Sequence, residues 1–393
     1  MISHPAIRLE KIGEFVSGSG FPIVEQGRNL GTYPFAKVGD ISRCARTGTA
    51  EMTSADNWVD EQVRVKLGAK VIPTGSVLFA KIGEAIRQNF RVVNGVPLLI
   101  DNNAMAFCPD TSLVDGRYVY QFLRTQDFYA LASSTTVPSL RKSTLGGIEI
   151  PLPPFSEQRR IATILDKADA LRAKRRKAIA KLDQLLQSVF VDMFGDLAQP
   201  KYPTRALQEI ADINPTGRTS MSASTYSPFI AMADVDAELD MASRHGERLT
   251  AELKTGYTAF RHGDILVAKI TPCFENGKIA MADIGERPGF GSTEFHVVRA
   301  HDPASQRMLL TFLRQPAIRF AGERQMTGSA GQKRVPKSFL AGLQIPSAPS
   351  AAIERFTQIH IQLGLQRQRM LDALETLDKT FASLQQRVFS GQL

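Results

Sequence analysis

No run of about 18 apolar residues occurs in this sequence, so no membrane-spanning helix is expected. The start, Met1-Ile2-Ser3-His4-Pro5, has no basic region followed by an apolar core; no secretory signal is expected, and a cytoplasmic location is. Cysteine is scarce. Cys44, Cys108 and Cys273 are odd in number and far apart, which excludes a disulfide framework or a zinc-ligand spacing and suits a reducing compartment. The closest histidines, His296 and His301, also lack a ligand spacing, so no metal is expected. Catalytic motifs are missing too. Gly328-Ser329-Ala330-Gly331-Gln332-Lys333 has the residue types of a phosphate loop at the wrong spacing. Asn214-Pro215-Thr216 begins like the Asn-Pro-Pro-aromatic motif of amino-methyltransferases but lacks the second proline and the aromatic. Pro272-Cys273 resembles the nucleophile of cytosine methylation, with no glycine-rich cofactor loop beside it, and reads as a half-buried loop cysteine. Glu252-Leu253-Lys254 imitates the carboxylate–lysine pattern of metal-dependent nucleases, a triplet that chance supplies in a chain this long. No catalytic residue is expected.

What the sequence does contain, it contains twice. Lys142-Ser143, Leu145 and Ile150-Pro151 return about 195 residues later as Lys337-Ser338, Leu340 and Ile345-Pro346. The match runs on into Leu182-Asp183 against Leu377-Asp378. Upstream, Pro34-Phe35 answers to Pro228-Phe229, Gly75–Ile82 to Gly263–Ile270, and Phe122-Leu123-Arg124 to Phe312-Leu313-Arg314. Two copies are too few for a solenoid, so a tandem duplication with an internal two-fold is predicted. The chain's 393 residues, 43% hydrophobic and 22% charged, suit two folded domains with a connecting element.

Each copy predicts an α+β domain, then a proline-marked junction, then a long helix. Residues 1–150 and 204–345 carry the domains; 151–195 and 346–393 carry the helices. Short apolar runs (Val71-Ile72, Val77–Ala80, Ile265–Ala268, His296–Val298) between Gly, Pro, Asn and Asp clusters read as strands. Gly116–Leu131 and Ala304–Gly322 read as helices. Ile150-Pro151-Leu152-Pro153-Pro154 enforces extended backbone, and Ser156 suits the N-cap of the helix that follows. Positions 161, 164, 168, 171, 175, 178, 182, 185 and 189, and their equivalents 195 residues on, carry a 3.5-residue repeat, with Arg175, Gln366 and Thr380 as breaks. A helix from Ser156 to about Met193 is roughly 55 Å long, whereas the linker from Gly195 to Pro203 reaches only about 30 Å. An antiparallel helix pair is therefore expected, with a domain toward each end.

The formal charge of +9 suits a polyanionic partner, since each neutralised phosphate releases counterions. Lys81 and Lys269 occupy equivalent strand ends; Arg87 and Arg91 follow the first, Lys278 the second. Before each junction, Ser139-Leu140-Arg141-Lys142-Ser143 matches Arg334-Val335-Pro336-Lys337-Ser338, preceded by the Ser133–Thr136 run and by Thr327–Gly331 with Lys333. Arginine, lysine and exposed amides can hold phosphates, and arginine can read guanine, so these residues are the candidate duplex contacts. The basic first helix, from Arg159 to Lys181, reads mostly as a solvated face.

Taken together, the architecture resembles the specificity subunit of type I restriction-modification systems. The resemblance spans essentially the whole chain, and its sharpest local match is Ile150–Gln158, with Ile161 and Leu165 after it. The second junction departs from the pattern, with Ser347-Ala348-Pro349-Ser350-Ala351-Ala352. The resemblance implies two pseudo-symmetric target-recognition domains separated by an antiparallel pair of long coiled-coil helices. It implies a non-catalytic subunit that reads an asymmetric two-part site in double-stranded DNA. It also implies two modification subunits and the restriction subunits as partners, with Glu157 and Gln158 as partner contacts. S-adenosylmethionine, ATP and magnesium would belong to those partners and no cofactor to this chain. An autonomous nuclease or methyltransferase, and a coiled-coil scaffold without a DNA role, are the alternatives.

Overall fold

The computed structural model describes residues 4–390 apart from 49, 134, 135, 217–221, 244, 254 and 330. The chain divides into two compact units, Met1–Ala178 with Leu371–Leu393, and Ile179–Met370. This differs from the segmentation expected from the sequence. Each unit takes a stretch of both long helices, because the apolar stripes of those helices complete the cores of the mixed segments.

In the first unit a five-stranded sheet has the order Gly13–Ser17, Ala104–Pro109, Val77–Ala80, Val92–Asn94, Glu51–Met52. The last pair is parallel and the others antiparallel. The central run Val77–Ala80 is apolar throughout because both faces of the sheet are covered. Val77 and Phe79 face a core shared with Tyr118, Phe122, Leu165 and Phe381, whereas Leu78 faces a second core with Ile41, Val92 and Ala106. Side chains alternate across a strand, so burial of both faces replaces the polar alternation. A small sheet has the strand order Asn57–Val59, Tyr33–Ala36, Leu99–Ile100. Val71-Ile72 forms no strand; Ile72 makes a single bridge to Leu98.

The second unit repeats the design. Its five-stranded sheet has the order Ala211–Ile213, Phe295–Ala300, Ile265–Ala268, Ile279–Ala282, Met241–Ala242, again with a parallel final pair. Its smaller sheet pairs Gly246–Leu249, Tyr226–Ile230, Gly289–Gly291 and Thr258–Phe260. In each unit the junction strand closes a two-stranded ribbon: Glu149–Pro151 on Ala6–Arg8, and Gln344–Pro346 on Thr204–Ala206. Proline is tolerated there because such a ribbon has open edges.

Two predicted helices are shorter than expected. Gly116–Leu123 is capped by Asp115, whose Oδ1 accepts from the amides of Arg117 and Tyr118, but it ends before Arg124. Thr125 and Asp127 then bond their neighbouring backbone instead of extending the ladder. The stretch 304–322 breaks into Gln306–Leu313 and Pro316–Arg324, since Pro316 lacks an amide to continue the first helix and suits the start of the second.

The long helices run Phe155–Phe194 and Ser350–Phe389, 40 residues each. Ser156 lies inside the first turn; the Pro154 carbonyl accepts from Gln158 and starts the ladder, as the Pro349 carbonyl does for Ile353. The buried seam is partly displaced from the predicted one. Positions 161, 168, 175, 182 and 189 face inward, but Ile164, Leu171 and Leu185 are 40–46% exposed. Their places are taken one residue later by Leu165, Arg172 and Leu186, with Ile179 buried directly after Ala178, and in the second helix the inward residues are His360, Arg367, Leu374 and Phe381. Gln366 and Thr380 are exposed and break nothing. Within the second unit Asp183 pairs with Arg367 at 2.8 Å, and Phe194 meets Phe356 edge to face with ring centroids 5.3 Å apart. Advancing along one helix there means retreating along the other: the pairing is antiparallel.

Candidate nucleic-acid interface

In both units the chain returns from its last long excursion to pair with the strand end that carries the equivalent lysine. In the first unit the Lys81 amide donates to the Asn103 carbonyl at 2.7 Å, and the Lys81 carbonyl accepts from Leu140 at 2.9 Å. Ile82 bridges Ser139 alongside. In the second unit Lys269 donates to Glu294 at 2.9 Å and accepts from Val335 at 2.8 Å, while Ile270 bridges Arg334. Two sequence candidates, the strand-end lysine and the segment before the junction, thus become one structural element in each unit. Arg141 follows directly on Leu140, and Lys142 opens the short helix Lys142–Gly146; Lys337 opens Lys337–Gly342 in the same way. Ser134 and Thr135 of the first hydroxyl run, Ala330 of the glycine-rich stretch and Lys254 of the Glu-x-Lys triplet lie outside the described residues.

Among the described residues, Lys81, Arg141, Lys142, Lys269, Lys333 and Lys337 have no ion-pair partner, and Arg141, Lys142, Lys333 and Lys337 are exposed. Cations without internal partners on a backbone pinned by hydrogen bonds are what phosphate contacts require. The other candidates are committed elsewhere. Arg91 is only 4% exposed, stacks 3.7 Å from the centroid of Phe128, and donates to Asn89 Oδ1 and the Gln126 carbonyl. Burial pushes its guanidinium down to about 9. It is a core cation and is withdrawn from the duplex contacts. Arg87 remains exposed, held by Glu84 at 3.0 Å and lying over the Tyr129 ring. Lys278 is half-buried and donates to the Met232 carbonyl at 2.8 Å, tying two segments of the second unit together. Arg334 forks onto Glu294, holding that carboxyl below its ordinary range.

Among the expected partner contacts, Gln158 is corrected in the same way. It is 1% exposed; its Oε1 accepts from the Asp115 amide and its Nε2 donates to the Pro153 carbonyl. It stitches the junction to the cap of Gly116–Leu123 and offers nothing to another molecule. Glu157 is a third exposed and pairs with Arg160 at 2.7 Å, which lowers its carboxyl below the usual range.

His296, which has no metal-ligand spacing, holds the interface segment of the second unit. Its Nε2 donates to the Val335 carbonyl at 2.9 Å, which leaves Nδ1 to accept from Asn214 Nδ2 at 3.1 Å. Burial lowers its pKa and keeps the ring neutral. The sequence reading missed Arg172 and Arg367, equivalent positions on the two helices. Arg172 Nε pairs with Asp378 in the first unit as Arg367 does with Asp183 in the second. The signal was available: both arginines and both aspartates obey the 195-residue repeat.

No helix among the described residues is long and apolar enough to cross a membrane. Among the same residues, no group of three or more His, Cys, Asp or Glu side chains is placed to hold a metal ion.

Residues 7–182 match the type I restriction modification DNA specificity domain. The specificity subunit of the type I restriction enzyme EcoAI of Escherichia coli is 40% identical over 183 residues, 44% of this chain and 31% of that protein. That of EcoEI, also from Escherichia coli, is 38% identical over 186 residues, with the same two shares. The matched region thus spans about a third of the length of these relatives. The S subunit of a type I restriction-modification system from M. genitalium has a similar fold, with a TM-score of 0.52 at 14% identity over 98% of this chain and 96% of that one. A chain solved in work on the assembly and conformational transition of a type I R-M system gives 0.55 at 16% identity, over 100% and 99% of the two chains.

Proposed function

We propose that this chain, a member of the type I restriction-modification specificity family, is the DNA-reading subunit of such a system. Each unit would read one half of a two-part site in double-stranded DNA through its strand-end lysine and the segment paired with it. The observation that carries the reading is the recurrence of that element, Lys81 with Leu140–Lys142 and Lys269 with Lys333–Lys337, in two units of like sheet order, the first of which matches the specificity domain. The cations in it fix position on phosphates, while groove contacts from neighbouring side chains supply sequence. The chain itself makes and breaks no bonds in this reading. Two modification subunits and the restriction subunits would bring S-adenosylmethionine, ATP and magnesium, and Glu157 at the junction stays a candidate partner contact.

The test is a domain exchange in the assembled system. Replacing residues 1–150 by those of another specificity subunit should change one half of the methylated motif and leave the other intact. A change in both halves, or cleavage or methylation of DNA by the purified chain alone, defeats the reading.

A further inference from the structure

The duplication is broken at one place on the helices, and the break leaves donors unpartnered in the second unit. In the first unit Asp169 projects from the first long helix and accepts from Arg124, from Arg172 Nη1 at 2.7 Å and from Gln121 Nε2 at 3.3 Å. The second unit keeps both arginines, as Arg314 and Arg367, but the residue equivalent to Asp169 is Gly364, which has no side chain. Asp240 compensates for Arg314, accepting from its Nη1 at 2.6 Å, and backbone carbonyls of Ile279, Ala237 and Leu239 take that guanidinium's other donors.

Among the described residues nothing compensates for the rest. Arg367 is 8% exposed; its Nε donates to Asp183, but its Nη2 makes no hydrogen bond. His360 is buried. Its Nδ1 faces Arg307 Nη1 at 3.4 Å, so the neutral ring carries its proton on Nε2, and Nε2 has no hydrogen-bond partner, with Asp240 Oδ2 3.6 Å away. Arg319 has a buried, unpartnered Nε and no ion pair among the described residues; its guanidinium lies against Gly277, where a Cβ would sit 2.7 Å from Nη1. Buried donors left unmade cost free energy that a bound acceptor recovers. All three side chains line one cavity of about 530 Å³ within the second unit, with an apolar wall from Leu182, Leu186 and Leu363. Asp183 and Asp240 also line it, but each is committed to an arginine. Glu238 stands 4.0 Å from Arg367 Nη2 and is 79% exposed, so it competes weakly.

We propose that this cavity binds a small oxyanion, a carboxylate or a phosphate, which takes the place in the second copy that the Asp169 carboxylate fills in the first. The donors are fixed by packing rather than on mobile stems, and the cavity is of a size that suits a compact ligand. Arg319 and Arg367 supply charge, and His360 supplies a neutral N–H.

Titration calorimetry and thermal unfolding of the full chain with inorganic phosphate, and separately with citrate, at constant ionic strength test this. One anion per chain is expected to bind saturably at millimolar concentration or below and to raise the Tm. Arg319→Gln should weaken binding at least tenfold. Gly364→Asp should abolish it and raise the Tm without ligand; the nearest atom to a Cβ there is Asp240 Oδ2, an ordinary 3.9 Å away. Lys269→Ala should bind the anion as the parent does. Absence of saturable binding by both anions overturns the proposal. So does binding that survives Arg319→Gln and Gly364→Asp but is lost in Lys269→Ala, which would move the anion to the duplex-facing lysines.

Discussion

Lys81 and Arg91 lie ten positions apart and behave as opposites. Lys81 has no ion-pair partner among the described residues, so Lys81→Ala is expected to weaken DNA binding evenly across sequences and to lower the salt slope by about 1; Lys269→Ala should do the same. Measured affinities at several salt concentrations decide it, and an unchanged slope in both variants would remove these lysines from the interface. Arg91 is enclosed, so Arg91→Ala is expected to lower stability by about 2 kcal/mol, through lost packing on Phe128 and two lost hydrogen bonds, to Asn89 Oδ1 and the Gln126 carbonyl, with the salt slope unaltered. Acid should act through His296. Its folded pKa lies below the ordinary 6.5, so the unfolded chain binds the proton first as pH falls. The stability of the second unit is therefore fully present above about pH 6.5 and declines below it. Urea unfolding between pH 7.5 and 5 should show that decline, and His296→Asn should reduce it, the remainder belonging to His360, whose pKa burial pushes down to about 4.

Each long helix hides charged residues in its seam, and their partners differ in exposure. Asp183 is half exposed, whereas Arg367 is nearly enclosed. Asp183→Ala should therefore destabilise more than Arg367→Met. The first strands a buried guanidinium; the second keeps the apolar stem and leaves a carboxylate that water can reach. With one partner half solvated, the larger loss should be about 1–2 kcal/mol rather than the about 3–5 kcal/mol of a fully buried pair. Denaturant midpoints give the ranking, and the reverse order would mean that the pair is not the determinant. Apolar counting overlooked this seam because arginine and histidine occupy inward positions, while Ile164, Leu171 and Leu185 sit one residue away in water. Helix ends were easier to read. Proline removes a backbone donor and disfavours the α conformation before it, which is a local property of the chain, so each junction was legible to within about four residues of the helix start.

For the molecule as a whole, the duplication predicts a two-part reading, and the helices should set the unread spacing between the parts. Adding a heptad to both helices keeps the seam inward and is expected to lengthen the spacer in the methylated motif without altering either half. A motif with unchanged spacing would show that the helices do not act as the ruler. Sequence alone separated the mixed segments from the helices. It did not foresee that each compact unit takes its core from both helices, because Phe381 and Val388 reach the first unit's core from more than 200 residues beyond its strands.

Repetition, proline placement and strand-forming runs are written into neighbouring residues, so the repeated design, the paired α+β segments and the two long helices could be read before any coordinates. Three things only the tertiary structure decided: the side of each helix that is covered, the burial of Arg91 and Gln158, and the donors left open around Gly364. The physical reason is the same for all three. Whether a side chain is a contact, a core element or an unpaired donor depends on the atoms the fold brings around it from distant positions, and local pattern carries no record of those atoms.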